Sequence, residues 1–191
     1  MVMDEHIIFY REWLLLDKAH FRILTMLADK GAFCGGLADI CRYLSLSPGQ
    51  QKTNATLRAS IDFLAANGYI TGTLTGRTYQ LQLIPKENPI YVSRRWFNPI
   101  RPNTDFSQTV SWEMVIKTLV WISGNSLSNL VVNDMIAEEL NTSVATLGAA
   151  KNVLERDFHA IIRDVEKMIL PNGQKRNIGQ HLATFAPWSG E

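Results

Sequence analysis

The chain has 191 residues, 46% of them hydrophobic and 19% charged, with 7 prolines: enough apolar content for one ordinary core or two small ones, and unlike a disordered chain. Lys and Arg total 19 against 18 Asp and Glu, a formal charge of +1, so no bulk basicity draws a polyanion from a distance and any such partner must be met by local charge. No run approaches the roughly 18–20 apolar residues of a membrane span, and the opening MVMDEHIIFY lacks the apolar core of a signal peptide, so the expected setting is cytoplasmic with no membrane partner.

Asp17 is placed to cap a first helix over Lys18 to Asp29, with Phe21, Leu24 and Leu27 or Ala28 at helical spacing and Gly31, Gly35 and Gly36 ending it. Cys34 and Cys41 flank the start of the next segment; seven positions apart and without nearby Cys or His ligands, they read as reduced structural thiols. A short helix is expected over Leu37 to Leu44, then a turn from Ser45 to Gly49 containing Pro48. A third helix runs from about Gln50 to Asn67 with the narrow stripe Leu57, Ile61, Leu64, and Gly68 follows where a left-handed residue is wanted. Tyr69 to Leu74 and Thr78 to Ile84, joined around Gly76, form a two-stranded hairpin in which Tyr79, Leu81 and Leu83 alternate with Thr78, Gln80 and Gln82.

Pro85, Pro89, Pro99 and Pro102 forbid a long helix between residues 85 and 105, which makes this stretch the expected boundary. The order then repeats. Phe106 to Ser123 is a helix candidate with Val110, Met114, Val115, Leu119 and Ile122 on one face; Val131 to Leu140 is a short helix; Asn141-Thr142-Ser143 supplies turn and cap. A long helix from Val144 carries Val144, Leu147, Ala150, Leu154 and Phe158. A strand from Ala160 to Met168, the turn Pro171-Asn172-Gly173, and a return strand holding Ile178, Leu182 and Phe185 complete the second pass.

Helix, short helix, turn, longer helix and hairpin, together with the junction Leu57-x3-Ile61-x2-Leu64-Ala65-Ala66-Asn67-Gly68-Tyr69-Ile70, resemble the winged-helix superfamily. The resemblance implies a mainly α chain with small β hairpins, built as two winged helix-turn-helix domains in tandem: 1–85, a Pro-rich linker over 86–105, and 106–191. It also implies binding of double-stranded DNA, with a recognition helix in the major groove and hairpin tips on phosphates.

Outward positions carry that expectation. Counting 100° per residue from Leu57 turns Gln51, Lys52, Ala55, Arg58 and Ala59 away from the core, with Asn54 and Thr56 on the flanks. Gln51, Lys52, Asn54 and Arg58 are therefore candidate DNA contacts, suited to base edges or phosphates. On the second long helix Ala145, Gly148, Ala149, Asn152 and Arg156 turn outward with Thr146 at one edge, a face that suits DNA or a protein surface equally. Thr146, Asn152 and Arg156 are the candidates there, and the resemblance adds Arg77, Lys175 and Arg176 at the wings. In Ser93-Arg94-Arg95-Trp96-Phe97 the aromatics read as glue between domains.

No P-loop, GxGxxG, His-Glu-x-x-His or Cys-x-x-Cys occurs, and His6, His20, His159 and His181 stand on separate elements, so the reading is of a protein that is not an enzyme and needs no cofactor. Glu138 and Glu139 are expected to face water. The leading expectation is a sequence-specific DNA-binding protein acting as a transcriptional regulator. A replication initiator of a plasmid, phage or integrative element is the second, and a winged-helix protein-interaction scaffold, with a homodimer or protein partner at the second module, is the third.

Overall fold

The computed structural model describes residues 6–125 and 130–184, which divide into two compact units: Ile7–Pro89, and Ile90 onward together with His6. Phe185, expected on the last strand, lies outside the described residues.

The first unit takes in β1 (His6–Tyr10) from Ile7 on and a 3-10 turn (Arg11–Leu15), which bury Phe9 and Trp13 in edge contact, with Phe9 also stacked on Phe21. Helix α1 (Lys18–Lys30) starts where the Asp17 carboxylate accepts the His20 N–H at 2.9 Å and stops at Gly31, whose φ of +76° returns its N–H to the Leu27 carbonyl. Its Phe21, Ile23, Leu24, Met26 and Leu27 are fully buried, each stabilising the fold by about 1.5–3 kcal/mol. Next come β2 (Ala32–Gly35), α2 (Leu37–Tyr43), α3 (Gln51–Ala66), β3 (Ile70–Thr75) and β4 (Thr78–Leu83).

Two helix ends position everything that follows. After α2, Ser45 adopts a φ of +51°, and the N–H groups of Ser45 and Leu46 close onto the carbonyls of Arg42 and Cys41. After α3, Gly68 at φ +70° lets its own N–H reach Ala65 and that of Tyr69 reach Leu64, so the chain reverses directly into β3. Leu57, Ile61 and Leu64 are buried along α3, as their spacing requires.

The expected hairpin is part of a three-stranded antiparallel sheet ordered β2-β4-β3, with Phe33 opposite Leu81 and Ile70 opposite Leu83. The glycine-flanked stretch Ala32–Gly35, expected only to break a helix, supplies the third strand because β4 has a free edge to offer and Phe33 an apolar side chain to bury.

The second unit holds β5 (Pro89–Ser93), a one-turn α4 (Arg94–Phe97), α5 (Trp112–Gly124), α6 (Asn133–Glu139), α7 (Val144–Asn152) running into a π turn (Val153–Asp157), and the antiparallel pair β6 (Ile161–Ile169) and β7 (Lys175–Thr184). Helix α5 begins six residues later than Phe106, at the Ser111 cap, and is buried on every side from Val115 to Ile122 where one apolar face was expected. Trp121 donates its indole N–H to Glu139 at 2.8 Å, so Glu139 joins α5 to α6, whereas Glu138 alone is exposed as expected.

Helix α6 ends as α2 does, with Asn141 at φ +49° and the N–H groups of Asn141 and Thr142 on Glu138 and Ala137. No glycine ends the long helix. The π turn widens instead, His159 takes φ +50°, and the Ala160 N–H closes on Leu154 at 2.7 Å. Helix accounts for 45% of the described residues and strand for 26%. The expectation of a mainly α chain, as tandem winged helix-turn-helix domains would make it, is overturned by that strand share: this is a mixed α and β chain, because β2 and β5 arise in segments the sequence reading treated as breakers or linker and β6 and β7 run to nine and ten residues.

Candidate nucleic-acid interface

Helix α3 leans its Leu57 stripe on the core of the first unit and presents the opposite flank to solvent. Gln51, Lys52, Ala55, Thr56, Arg58 and Ala59 are exposed and Asn54 half-buried. Between this helix, the start of α2 and the β3–β4 hairpin lies a groove of about 800 Å³. Asn54 and Arg58 line one wall; Thr73 and Arg77 come from the hairpin; Gly36 and Ala38 come from the start of α2. Arg77 sits at the tip because β3 and β4 are joined by Gly76 and Arg77 alone, and Gly76 takes the φ of +63° that a two-residue turn asks of its first residue. Candidates from two elements, Asn54 and Arg58 on α3 and Arg77 on the hairpin turn, therefore share one concave surface.

The same groove contains an acid that the sequence reading passed over. Asp62 lies four residues beyond Arg58 on the same flank of α3, a spacing that is visible in the sequence, and it lowers the net positive charge of the wall. Asp39 is otherwise committed: its carboxylate accepts the Gly36 N–H at 2.7 Å and pairs with Arg42 at 2.7 Å.

Lys52 does not join Arg58 in this groove. Six residues at 100° each place the two about 120° apart, and Lys52 lines a separate cleft with Lys18 and Arg22 of α1. Gln51 stays on the exposed first turn outside both.

In the second unit the candidates are scattered. Thr146 is tied into the start of α7, its N–H donated to the Ser143 hydroxyl at 3.1 Å and its own hydroxyl 2.8 Å from the same oxygen. Asn152 accepts from Arg163, which also pairs with Glu155, so neither the amide nor that guanidinium is poised for a ligand. Arg156 is exposed on the π turn. Lys175 and Arg176 are exposed on β7 opposite Ile169 and Met168, beside the turn around Gly173.

A polar knot in this unit was not foreseen. Lys151 is 1% exposed; its ammonium donates to the Gln180 amide oxygen at 3.0 Å and to the Asn133 amide oxygen, which also accepts from Gln180. Burial, then the Arg163 charge, pull its pKa down to about 8, against an upward pull from Glu155. The signal was its position: Lys151 falls four residues after Leu147 and three before Leu154, on the apolar stripe.

No family model matches this chain, and no curated protein matches it in sequence. Among the described residues no group of His, Cys, Asp and Glu is arranged to hold a metal ion, and no helix is long and apolar enough to cross a membrane. The four histidines remain apart: His20 stacks on Phe63, His181 meets Glu166 at 3.0 Å, His6 touches Tyr91 edge-on, and His159 sits in the turn before β6.

Proposed function

We propose that the first unit binds double-stranded DNA through the α3–hairpin groove, in the manner of a sequence-specific transcriptional regulator. The observation that carries the reading is the convergence of Asn54 and Arg58 from one helix with Arg77 from the adjacent hairpin tip on a single groove. An amide and a guanidinium on an exposed helix flank are the groups that read adenine and guanine edges in a major groove, and an arginine at a short turn suits a phosphate. The resemblance of the first unit's helix order to the winged-helix superfamily supports the same assignment.

The second unit favours a protein partner. Its β6–β7 pair exposes Ile162, Val165, Met168, Ile169 and Ile178, each at least 40% accessible, while two of its candidate polar residues, Thr146 and Asn152, are engaged within the unit. Apolar side chains exposed along such a strand pair suit a second protein surface better than a polyanion.

Fluorescence anisotropy against a random-sequence duplex and against duplexes selected from a random pool, each at two or more salt concentrations, tests the DNA reading. Each lost phosphate contact should flatten the log-log salt dependence by about 0.9. Arg77→Ala should do this on both DNAs, whereas Asn54→Ala should act mainly on the selected sequence. Absence of binding by the wild-type chain at low salt would refute the reading.

A further inference from the structure

Among the described residues that line the α3 groove, Asp62 alone carries a charge that opposes a polyanion. No local contact accounts for it. It stands four residues before the end of α3, where the helix dipole disfavours a carboxylate. Arg58 lies one turn earlier, but a cation followed by an acid is the weaker order for a pair at this spacing, and the two side chains do not join. Where the same residue types do join, in Asp39 and Arg42 of α2, the acid comes first. Among the described residues, none hydrogen-bonds to or pairs with the side chains of Asn54, Arg58, Asp62 or Arg77.

Asn54, Arg58 and Asp62 follow one another at four-residue intervals and all line the groove. Each step along this row rises about 6 Å and turns about 40° around the helix. Base pairs stack at ~3.4 Å, so neighbours in the row address base edges roughly two pairs apart. The three side chains differ in what they match. An amide donates and accepts, as the adenine edge asks; a guanidinium donates twice, to guanine O6 and N7; a carboxylate only accepts, and cytosine offers it the N4 amino group. Against guanine or thymine the carboxylate would face bare acceptors, and against adenine it would face N7 beside the amino group.

Resting on the reading of this groove as a duplex site, we infer that Asp62 is a specificity-determining residue that selects cytosine, about two base pairs from the guanine met by Arg58. It selects by repulsion as much as by attraction. An unpaired acid in the groove weakens every duplex, and only an N4 amino group at the matching step offsets that loss, so the same charge that lowers affinity separates one sequence from the rest. An acid that was merely tolerated there would lower affinity for all sequences alike.

The test is selection from a random duplex pool, followed by sequencing, with the full wild-type chain and with Asp62→Ala, Asp62→Asn and Arg58→Ala in parallel. The wild-type pool should hold a cytosine that Asp62→Ala no longer selects and that Asp62→Asn exchanges for adenine, about two pairs from the guanine lost in Arg58→Ala. In anisotropy on four duplexes that differ only at that position, wild type should favour cytosine by at least about fivefold over each other base, and Asp62→Ala by less than about twofold. On a random-sequence duplex both Asp62 variants should bind at least as tightly as wild type, which also shows that they fold. Wild-type and Asp62→Ala pools with the same base at every position, or a position that changes without having been cytosine, would overturn the inference and leave the groove reading standing. A wild-type chain that binds no duplex at low salt would overturn both.

Discussion

Lys151 offers the most demanding check on the second unit, because a buried ammonium answered only by amide oxygens makes folding depend on pH in one direction. Its folded pKa of about 8 lies below the 10.5 of a free lysine, so between those values the unfolded chain binds more protons than the folded one. Stability therefore rises as pH climbs from 8 to 10.5 and is lost again as pH falls from 10.5 to 8, below which the lysine is protonated in both states. At ~1.36 kcal/mol per pH unit the full gain is about 3 kcal/mol. Lys151→Met keeps the length of the side chain and the Asn133–Gln180 hydrogen bond but removes the titrating group. Replacing a buried charge by an apolar side chain of similar size is neutral or stabilising by roughly 1–4 kcal/mol. The variant should then equal or exceed wild type at pH 7, and the gap should move by about 3 kcal/mol in favour of wild type by pH 10.5. Urea unfolding of both proteins across this range, followed by circular dichroism, reads the difference between two curves, in which other titrating groups cancel. A difference that stays constant with pH would show that Lys151 is not held as described.

Three further outcomes follow from single contacts. Gly68→Ala meets no atom within 4 Å but must hold φ +70°, so thermal unfolding should report a loss of about 1–2 kcal/mol with no change in fold by circular dichroism. Trp121→Phe leaves Glu139 without its indole donor and should lower stability by about 1–3 kcal/mol; full stability in urea would mean that water replaces the indole freely. Asp62→Asn removes the acid from the α3 groove, so duplex affinity at low salt should increase several-fold and the gain should shrink as salt is raised. Unchanged affinity in anisotropy would place the nucleic acid elsewhere.

Local rules set much of this chain without reference to its tertiary contacts. The Asp17 cap, the Leu57-Ile61-Leu64 stripe, the Gly68 reversal and the Tyr79–Leu81 alternation each depend on residues a few positions apart, so elements α1, α3 and β4 were legible within a residue or two. Asn54, Arg58 and Arg77 were legible as outward or turn residues for the same reason. Their meeting in one groove was not, since it depends on how the hairpin is carried back over α3. Strand β2 exists because β4 had an edge to fill, and α7 ends in a π turn because His159 stands where α3 has a glycine. Lys151 is buried because it stands between Leu147 and Leu154 on the enclosed part of the α7 stripe, with Asn133 and Gln180 brought from distant segments to meet the charge. Sequence periodicity specifies which way a side chain leaves its own backbone; only the packing of one element on another decides what it then meets.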